Sequence, residues 1–309
     1  MPKPRFTIPH LRIASVLGNF FFAVLLVGFD SAGQTLNVPA RQTNAPTGSQ
    51  FVKIITPMGT PPTPDRENWI LAQIQNGNVP NFLRALKPIT VSQTINGTNH
   101  TATYYVTPDY MAIGTDEDYF LEPMTPLLAQ RVANQLGCTL PTRKMVNQIW
   151  TNAAVKMNPQ PIPPSAQMIT VPVFDAHNTM VRAQRNTFTN SFPLGALVSG
   201  DKKDVIISTK IYTNFANAPT ITKVVVICGW HYPAGNPIQP LYNGHEETYA
   251  DYSHGVRLVQ INMTVDGIPT TVTNVLTDRN LAKLLSDEST TEETSTDGVI
   301  TKPRYMLKE

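Results

Sequence analysis

Residues 223–258 read KVVVICGWHYPAGNPIQPLYNGHEETYADYSHGVRL, and this segment organises the interpretation of the whole chain. It begins with the apolar, β-branched run 224–227, which predicts a buried strand, and a second apolar run follows at 256–261. The residues between these runs predict a long loop that the core holds at both ends. A loop of this length inside a domain is usually functional, so the sequence indicates where the function lies.

Candidate functional side chains are concentrated in this loop, at residues 229–257. Histidine is suited to proton transfer near neutral pH, a carboxylate can orient an imidazole, and an arginine can hold an anionic group. The sequence therefore predicts a general acid–base site made by His231, His254, Asp251, Arg257 and His245. A substrate groove is predicted to be lined by Trp230, Tyr232, Tyr249 and Tyr252. If the two apolar runs are neighbouring strands, His231 and His254 face the same cavity.

The same three histidines also offer a metal site. His231, His245 and His254 are 14 and 9 residues apart, so a zinc ion could bind only if the loop folds back on itself. The helical zinc motif H-E-x-x-H is absent, because His245-Glu246 is followed by Glu, Thr and Tyr. A site without a cofactor is the main expectation, and a divalent metal such as zinc at these histidines is the alternative.

Residues 253–258, SHGVRL, resemble the Ser-His-Gly-Cys-x-Arg-Leu signature of the L,D-transpeptidases, secreted enzymes that cross-link the bacterial cell wall. In that family a histidine at a strand end precedes the signature, and His231 is the corresponding residue here. The nucleophilic cysteine of the family is missing between Gly255 and Val256, and the spacing from His231 is longer. The resemblance covers six of 309 residues, which is too short to assign the family.

The composition indicates an extracellular protein. Charged residues make up only 15% of the chain, well under the usual quarter, while proline, asparagine and threonine are frequent. The net charge is +2 and the cations are scattered, so no basic face for nucleic acid is expected. Cys138 and Cys228 form one disulfide, or are two buried thiols, or include a catalytic thiol, and the sequence leaves these alternatives open.

The chain divides into four parts. Residues 1–33 have the cationic start, apolar centre and small-residue end of a secretory signal, with an uncleaved membrane anchor as the alternative. Residues 34–50 read as a flexible linker, and residues 51–285 as a single domain, with the proline-rich 158–165 as a possible joint between two lobes. Residues 286–309 read as a disordered tail, acidic and rich in serine and threonine.

The expected fold class is α+β, with a mostly antiparallel sheet, a mid-chain helical layer and the long functional loop between two core strands. Asn96-Gly97 and Asp266-Gly267 predict hairpins, while Thr125-Pro126 and Pro141 predict helix starts in the middle of the chain. Residues 51–56 and 168–174 are strand candidates, the second leading to Asp175 as a helix cap. The pair Lys202-Lys203 reads as a solvated turn, and His177 as a residue early in a helix.

These features lead to two hypotheses. The first is a monomeric, secreted or periplasmic enzyme, a hydrolase or transferase that acts on an extracellular polymer such as cell wall or polysaccharide, or on a small-molecule substrate. Its contact with a membrane would be limited to the N-terminal anchor. The alternative is a non-catalytic extracellular protein that binds carbohydrate or protein through its aromatic residues.

Overall fold

The structure, a computed structural model, describes residues 34–60, 63–212, 223–288 and 297–307. These residues form helices and mostly antiparallel sheets, which confirms the α+β class. The secretory signal predicted over residues 1–33 lies outside the described residues. In the described ranges, none of the helices combines the length and the apolar composition that crossing a membrane requires.

The helices begin where the sequence supplies threonine caps. Thr125 Oγ1 accepts a hydrogen bond from Leu128 N at 3.2 Å, and Thr142 Oγ1 accepts one from Met145 N at 3.1 Å. The α-helices of the described residues are α1 Gly48–Ile55, α2 Pro64–Gln75, α3 Pro126–Gln135, α4 Arg143–Asn152, α5 Val171–Asn186 and α6 Val272–Thr277. Short 3-10 helices lie at Thr56–Met58, Asn81–Leu83, Ala166–Ile169, Thr209–Tyr212 and Ala282–Leu284.

The strands are short apart from two hairpins. They are β1 Lys87–Ile95, β2 Thr98–Val106, β3 Ala112–Gly114, β4 Tyr119–Leu121, β5 Cys138–Thr139, β6 Val155–Lys156, β7 Val198–Ser199, β8 Lys203–Val205, β9 Val224–His231, β10 Pro237–Glu246, β11 His254–Gly255, β12 Val259–Gln260, β13 Asn262–Val265 and β14 Ile268–Thr271. Asn96 and Gly97 have φ of 49° and 83°, and Asp266 and Gly267 have φ of 53° and 77°. Both predicted hairpins are therefore confirmed, with left-handed turns that suit the strand twist.

The larger sheet has the order β14-β13-β2-β12-β5, with β1 paired to β2. The smaller sheet, which positions the candidate site, has the order β10-β9-β8-β11. Every residue of β9 is buried, as its apolar start predicts, and all its pairings are antiparallel. Only β8 with β11 and β6 with β7 pair in parallel among the described strands.

The predicted long loop is in part a strand. β10 occupies residues 237–246 and pairs with β9 in a register that shifts twice, so the segment is half hairpin and half loop. The sequence hides this strand because β10 lies at the sheet edge, where half-exposed residues need no apolar alternation. The two apolar runs are not neighbouring strands, since the run at 256–261 contributes β12 to the larger sheet, whereas β9 belongs to the smaller one.

Two predicted strands are helical in the structure. Phe51, Val52 and Ile55 are buried on one face of α1, at helical rather than alternating spacing. Residues 168–174 belong to a 3-10 helix and to the start of α5, where Pro172 lies in the first turn and Asp175 lies inside the helix. A short apolar run is compatible with a strand or with a helix, and here the capping residue that precedes each helix favours the helical form.

The predicted linker and tail pack against the domain. Residues 34–50 are fixed by backbone hydrogen bonds from Leu36 N to Arg84 O at 2.7 Å and from Leu86 N to Gln34 O at 2.8 Å. The disordered tail is wrong for residues 286–288 and 297–307, because Ile300 and Tyr305 are buried in the core. The structure places residues 34–307 in one compact unit, without a division into two lobes at 158–165.

The cysteines are two separate, buried thiols, so the disulfide alternative is wrong. Burial raises the pKa of Cys138 to about 12 and raises the pKa of Cys228 well above its ordinary value. Because the thiolate is the reactive form, neither side chain has the character of a catalytic nucleophile. Both are core residues.

Tyr305 anchors the described residues 297–307 of the tail, and it yields a stability prediction. Its hydroxyl donates to Ile206 O at 2.8 Å and accepts from Val226 N at 3.0 Å. We expect Tyr305→Phe to lower the free energy of unfolding by about 1–3 kcal/mol, because it leaves a buried N–H without a partner. Urea denaturation measures this loss, with Tyr232→Phe at an exposed tyrosine as the control. An unchanged midpoint would mean that the tail does not contribute to the fold.

Candidate functional site

The candidate site lies on the smaller sheet, at the ends of two parallel strands. In the register of β8 and β11, His254 is the partner of Lys203, and Lys203 is also the partner of Gly229 on β9. Partners in a sheet point to the same face, so the imidazole of His254 and the ammonium of Lys203 belong to one face. The Lys203 Nζ lies 5.1 Å from the ring centroid of Trp230.

A tight turn made by Asp251 positions His254. The Asp251 Oδ1 accepts a hydrogen bond from Ser253 N at 2.8 Å and a second one from the hydroxyl of Ser253. The backbone N–H of His254 donates to Asp251 O at 3.0 Å. Aspartate forms such turns readily because its short side chain reaches the backbone two residues ahead. Asp251 therefore orients the histidine through the main chain rather than through a direct bond to the ring.

The ring of His254 is completely buried, and its two nitrogens have no hydrogen-bond partner among the described residues. Burial lowers the pKa of His254 to about 4, so the imidazole is neutral at physiological pH. Burial alone would raise the pKa of Asp251, but His254, Lys203 and the hydrogen bonds from Ser253 lower it to about 2. A neutral imidazole thus lies close to an ionised carboxylate, which would stabilise the imidazolium formed when the ring accepts a proton.

Two further aromatic side chains connect His254 with the surface. The rings of Tyr249 and His254 meet edge to face, with centroids 5.6 Å apart, and the Tyr249 hydroxyl donates to Asp251 Oδ2 at 3.2 Å. His245 in turn stacks on the ring of Tyr249, with their centroids 3.9 Å apart. His245 and Tyr249 are half-buried, so this chain of ring contacts leads from the buried His254 to partly exposed side chains. We call Tyr249, Asp251, Ser253, His254 and His245 the His254 cluster.

His231 does not belong to the His254 cluster, so the predicted common cavity is wrong. Its Nε2 lies 3.0 Å from Asn147 Oδ1, and its ring stacks on Trp150 at 5.5 Å, both on α4. The physical reason is a local twist of β9, where Gly229 and Trp230 both have positive φ, at 106° and 59°. This backbone redirects the strand end, and a tryptophan with positive φ is unusual enough that only the surrounding packing maintains it.

The predicted aromatic groove is also not formed by the four residues together. Trp230 and Tyr252 are core residues, 3% and 2% exposed, with ring centroids 6.2 Å apart. The Tyr252 hydroxyl lies against the backbone of Ile162 in the proline-rich connector. Tyr232 is 47% exposed and lies at the turn of the β9–β10 hairpin. Of these four residues, Tyr249 is the one whose ring contacts that of His254.

Arg257 is a structural residue rather than an anion-binding one. Its Nη1 donates to Thr107 O and its Nη2 to Val198 O, both at 2.8 Å. The guanidinium lies 4.4 Å from the ring centroid of Tyr110, and its Nε is 3.8 Å from Asp204 Oδ1. With 0% exposure, the guanidinium is inaccessible to a substrate. The prediction that Arg257 holds an anionic substrate group is therefore not supported by its position.

A buried polar group beside the site escaped the sequence analysis. Lys202, predicted in a solvated turn, is buried, and its Nζ donates to Tyr252 O at 2.6 Å and lies 3.1 Å from His177 Nδ1. Burial lowers the pKa of Lys202 to about 8 and that of His177 to about 2, so the ammonium donates to a neutral imidazole. The signal available in the sequence was the run of charged residues at 201–204 between two apolar segments. This pattern occurs both in solvated turns and in buried polar networks, so it does not distinguish them.

The zinc alternative lacks a ligand set. In the described part of the chain, no three His, Cys, Asp or Glu side chains are grouped as a metal ion requires. His231 faces α4, whereas His245 stacks on Tyr249 and His254 meets the same ring edge to face, so the three histidines do not share one ligand position. Comparison with known proteins finds no matching family model, no matching curated protein and no matching solved structure. The site must therefore be interpreted from its own geometry.

The role of Arg257 can be tested by a substitution that keeps its length. We expect Arg257→Met to lower the free energy of unfolding by about 3–5 kcal/mol, because Asp204 would remain buried without its cation. Arg279→Met, at an exposed arginine, is the control and should change stability by less than about 0.5 kcal/mol. A stable Arg257→Met protein that has lost only its activity would contradict this structural role and restore the catalytic one.

His231 provides a test of pH dependence. Burial lowers its pKa to about 4, below the ordinary value near 6.5. Above pH 6.5 the ring is neutral in the folded and unfolded chains, but between pH 6.5 and 4 only the unfolded chain takes up the proton. The stability of the wild type relative to His231→Gln should therefore decrease as the pH falls from 7 to 4. Denaturation at each pH measures this difference, and a constant difference would show that the ring is not shielded from water.

Proposed function

We propose that the protein is a secreted hydrolase or transferase that acts on an extracellular polymer, with His254 as its general acid–base. The observation that carries the proposal is the fully buried imidazole of His254, whose nitrogens have no hydrogen-bond partner among the described residues while Asp251 lies beside it. Buried polar groups in proteins are almost always paired, so an unpaired imidazole needs an explanation, and a catalytic role supplies one.

The protonation states support a role as general base first. With its pKa lowered by burial, His254 is unprotonated at neutral pH and can remove a proton from a hydroxyl, an amine or water. Asp251 remains ionised and stabilises the resulting imidazolium, which can then protonate the leaving group. His231 has no place in this chemistry, because Asn147 and Trp150 occupy its surroundings.

Because the ring of His254 is buried, a substrate can reach it only if the half-buried side chains of Tyr249 and His245 move. Tyr249 and His245 are stacked on each other. His245 lies near the end of β10 and Tyr249 follows this strand, which is an edge strand whose pairing with β9 contains two register shifts. Irregular edge strands bend more easily than central ones. The segment that carries Tyr249 is therefore the part of the site best suited to admit a substrate. An extracellular polymer is proposed as the substrate because the low charge and the apolar N-terminal segment favour secretion.

Binding without catalysis is the second candidate function. Tyr232 is 47% exposed and Tyr242 is 37% exposed, and both lie on the β9–β10 hairpin. Exposed tyrosines offer flat apolar faces with a polar edge, which suits sugar rings or a protein partner. In this case Tyr232→Ala and Tyr242→Ala would remove binding, whereas changes at His254 would have little effect.

The decisive experiment compares two buried histidines of the same sheet. Purified wild-type protein, His254→Gln and His231→Gln are incubated with cell-wall sacculi and a polysaccharide panel, and products are separated by mass spectrometry. We expect His254→Gln to lose about 100-fold or more of the activity, since a general acid–base group contributes that much. His231→Gln should retain it.

Both variants must first show cooperative thermal unfolding above the assay temperature, so that loss of activity is not loss of the fold. Loss at His231 but not at His254 would contradict the proposed assignment. Binding of polymer by the wild type without any product, together with loss of binding in Tyr232→Ala, would replace the enzyme proposal by the binding one.

A further inference from the structure

A separate cavity of about 440 Å³ lies where α3, β5 and α6 meet residues 301–306. Its twelve lining residues are all in the described part of the chain, and none of them belongs to the His254 cluster. Cavities of this size are typical of sites for small ligands. The chemistry of its lining is independent of the acid–base proposal.

The lining combines cations, neutral polar groups and apolar side chains. Lys302 and Arg304 supply two positive charges, and none of the twelve lining residues is acidic. Threonine hydroxyls and the amides of Gln130 and Asn134 form the walls, while Ile261 and Met306 contribute apolar surface. In a chain with 24 cations and 22 acids, a cavity lined by two cations and no acid is electrostatically one-sided. Such a cavity attracts an anion and repels a cation.

The segment that carries the two cations is fixed by the core. Tyr305, between Arg304 and Met306, is buried, and its backbone N–H donates to Gln130 Oε1 at 3.0 Å. The backbone N–H of Arg304 donates to Lys302 O at 2.8 Å, which closes a tight turn. Gln130 Nε2 donates to Asn134 Oδ1 at 2.8 Å, so α3 presents an ordered amide pair. The cavity is therefore held in shape before a ligand arrives, and this lowers the entropic cost of binding.

We propose that this cavity binds a small organic anion, with its carboxylate or phosphate group at Lys302 and Arg304 and its apolar part on Ile261 and Met306. Arginine binds such groups through paired N–H donors, and lysine contributes a point charge. The threonine hydroxyls and the Asn134 amide contribute hydrogen bonds that fix the orientation of the head group. The site is a second one, which can be occupied whether or not the His254 cluster is catalytic.

Three probes with a similar phenylalkyl part and different charged head groups test the charge preference: phenylbutyrate, phenylbutyl phosphate and phenylbutylamine. Calorimetric titration of the full chain should show binding of one or both anions and none of the amine. The double variant Lys302→Gln/Arg304→Gln should weaken the anion at least about tenfold, and the comparison of carboxylate with phosphate identifies the preferred head group. Arg279→Gln, which removes an exposed cation outside the cavity, is the matched control and should leave the affinity unchanged.

A second variant separates binding in the cavity from attraction to surface charge. Thr277→Trp fills the cavity and keeps both cations, and it should abolish anion binding. All variants alter exposed residues, so they are expected to fold, and thermal unfolding checks this. Equal binding of the amine and the anions, no binding of any probe, or an unchanged affinity in the double variant or in Thr277→Trp would overturn the proposal.

Discussion

The buried guanidinium of Arg257 is the contact on which the architecture depends. It joins the end of β2 through Thr107, β7 through Val198 and β8 through Asp204, so it lies where the two main sheets meet. The backbone on either side repeats the connection, since Met111 N donates to Val256 O at 2.8 Å and Thr107 N donates to Leu258 O at 3.0 Å. Removing water from a guanidinium is expensive, and such an arrangement is stable only when fixed acceptors replace the lost hydration.

The surroundings of Arg257 show how a weakly charged protein can still have a charged interior. The Tyr110 hydroxyl donates to Asp204 Oδ2 at 2.8 Å, and burial raises the pKa of Asp204 to about 6 despite the nearby guanidinium. Burial and the neighbouring Asp109 raise the pKa of Asp201 to about 8, so this carboxyl is protonated at neutral pH. A protonated Asp201 carries no charge, so the interior avoids the cost of burying that carboxylate. The interior therefore maintains ionisable groups by adjusting their protonation.

The same sheet holds two buried histidines with different roles. His231 is hydrogen-bonded to Asn147 and stacked on Trp150, which is how an imidazole contributes to packing. His254 lies near an ionised carboxylate and is bonded to no side chain of the described residues, which is how an imidazole is prepared for proton transfer. Both have pKa values lowered by burial to about 4, so burial alone does not distinguish them. The difference lies in what each ring nitrogen contacts.

The sequence by itself determined the local features whose signals are contained in a few neighbouring residues. The Asn96-Gly97 and Asp266-Gly267 turns, the helix capped by Thr125 and the buried start of β9 follow from backbone preferences and apolar spacing, whereas α4 begins at Arg143 rather than at the predicted Pro141. It also named Asp251 and His254 among five candidate site residues, but it did not predict the turn that joins these two.

Only the tertiary structure decided which distant residues meet. The insertion of β8 between β9 and β11 separates His231 from His254, and no local pattern encodes the order of strands in a sheet. The assignment of Lys202 and Arg257 to the interior depends on partners up to 150 residues away, such as Thr107 for Arg257. A charged residue that will be buried looks like a surface residue in sequence, because the groups that replace its hydration come from elsewhere in the chain.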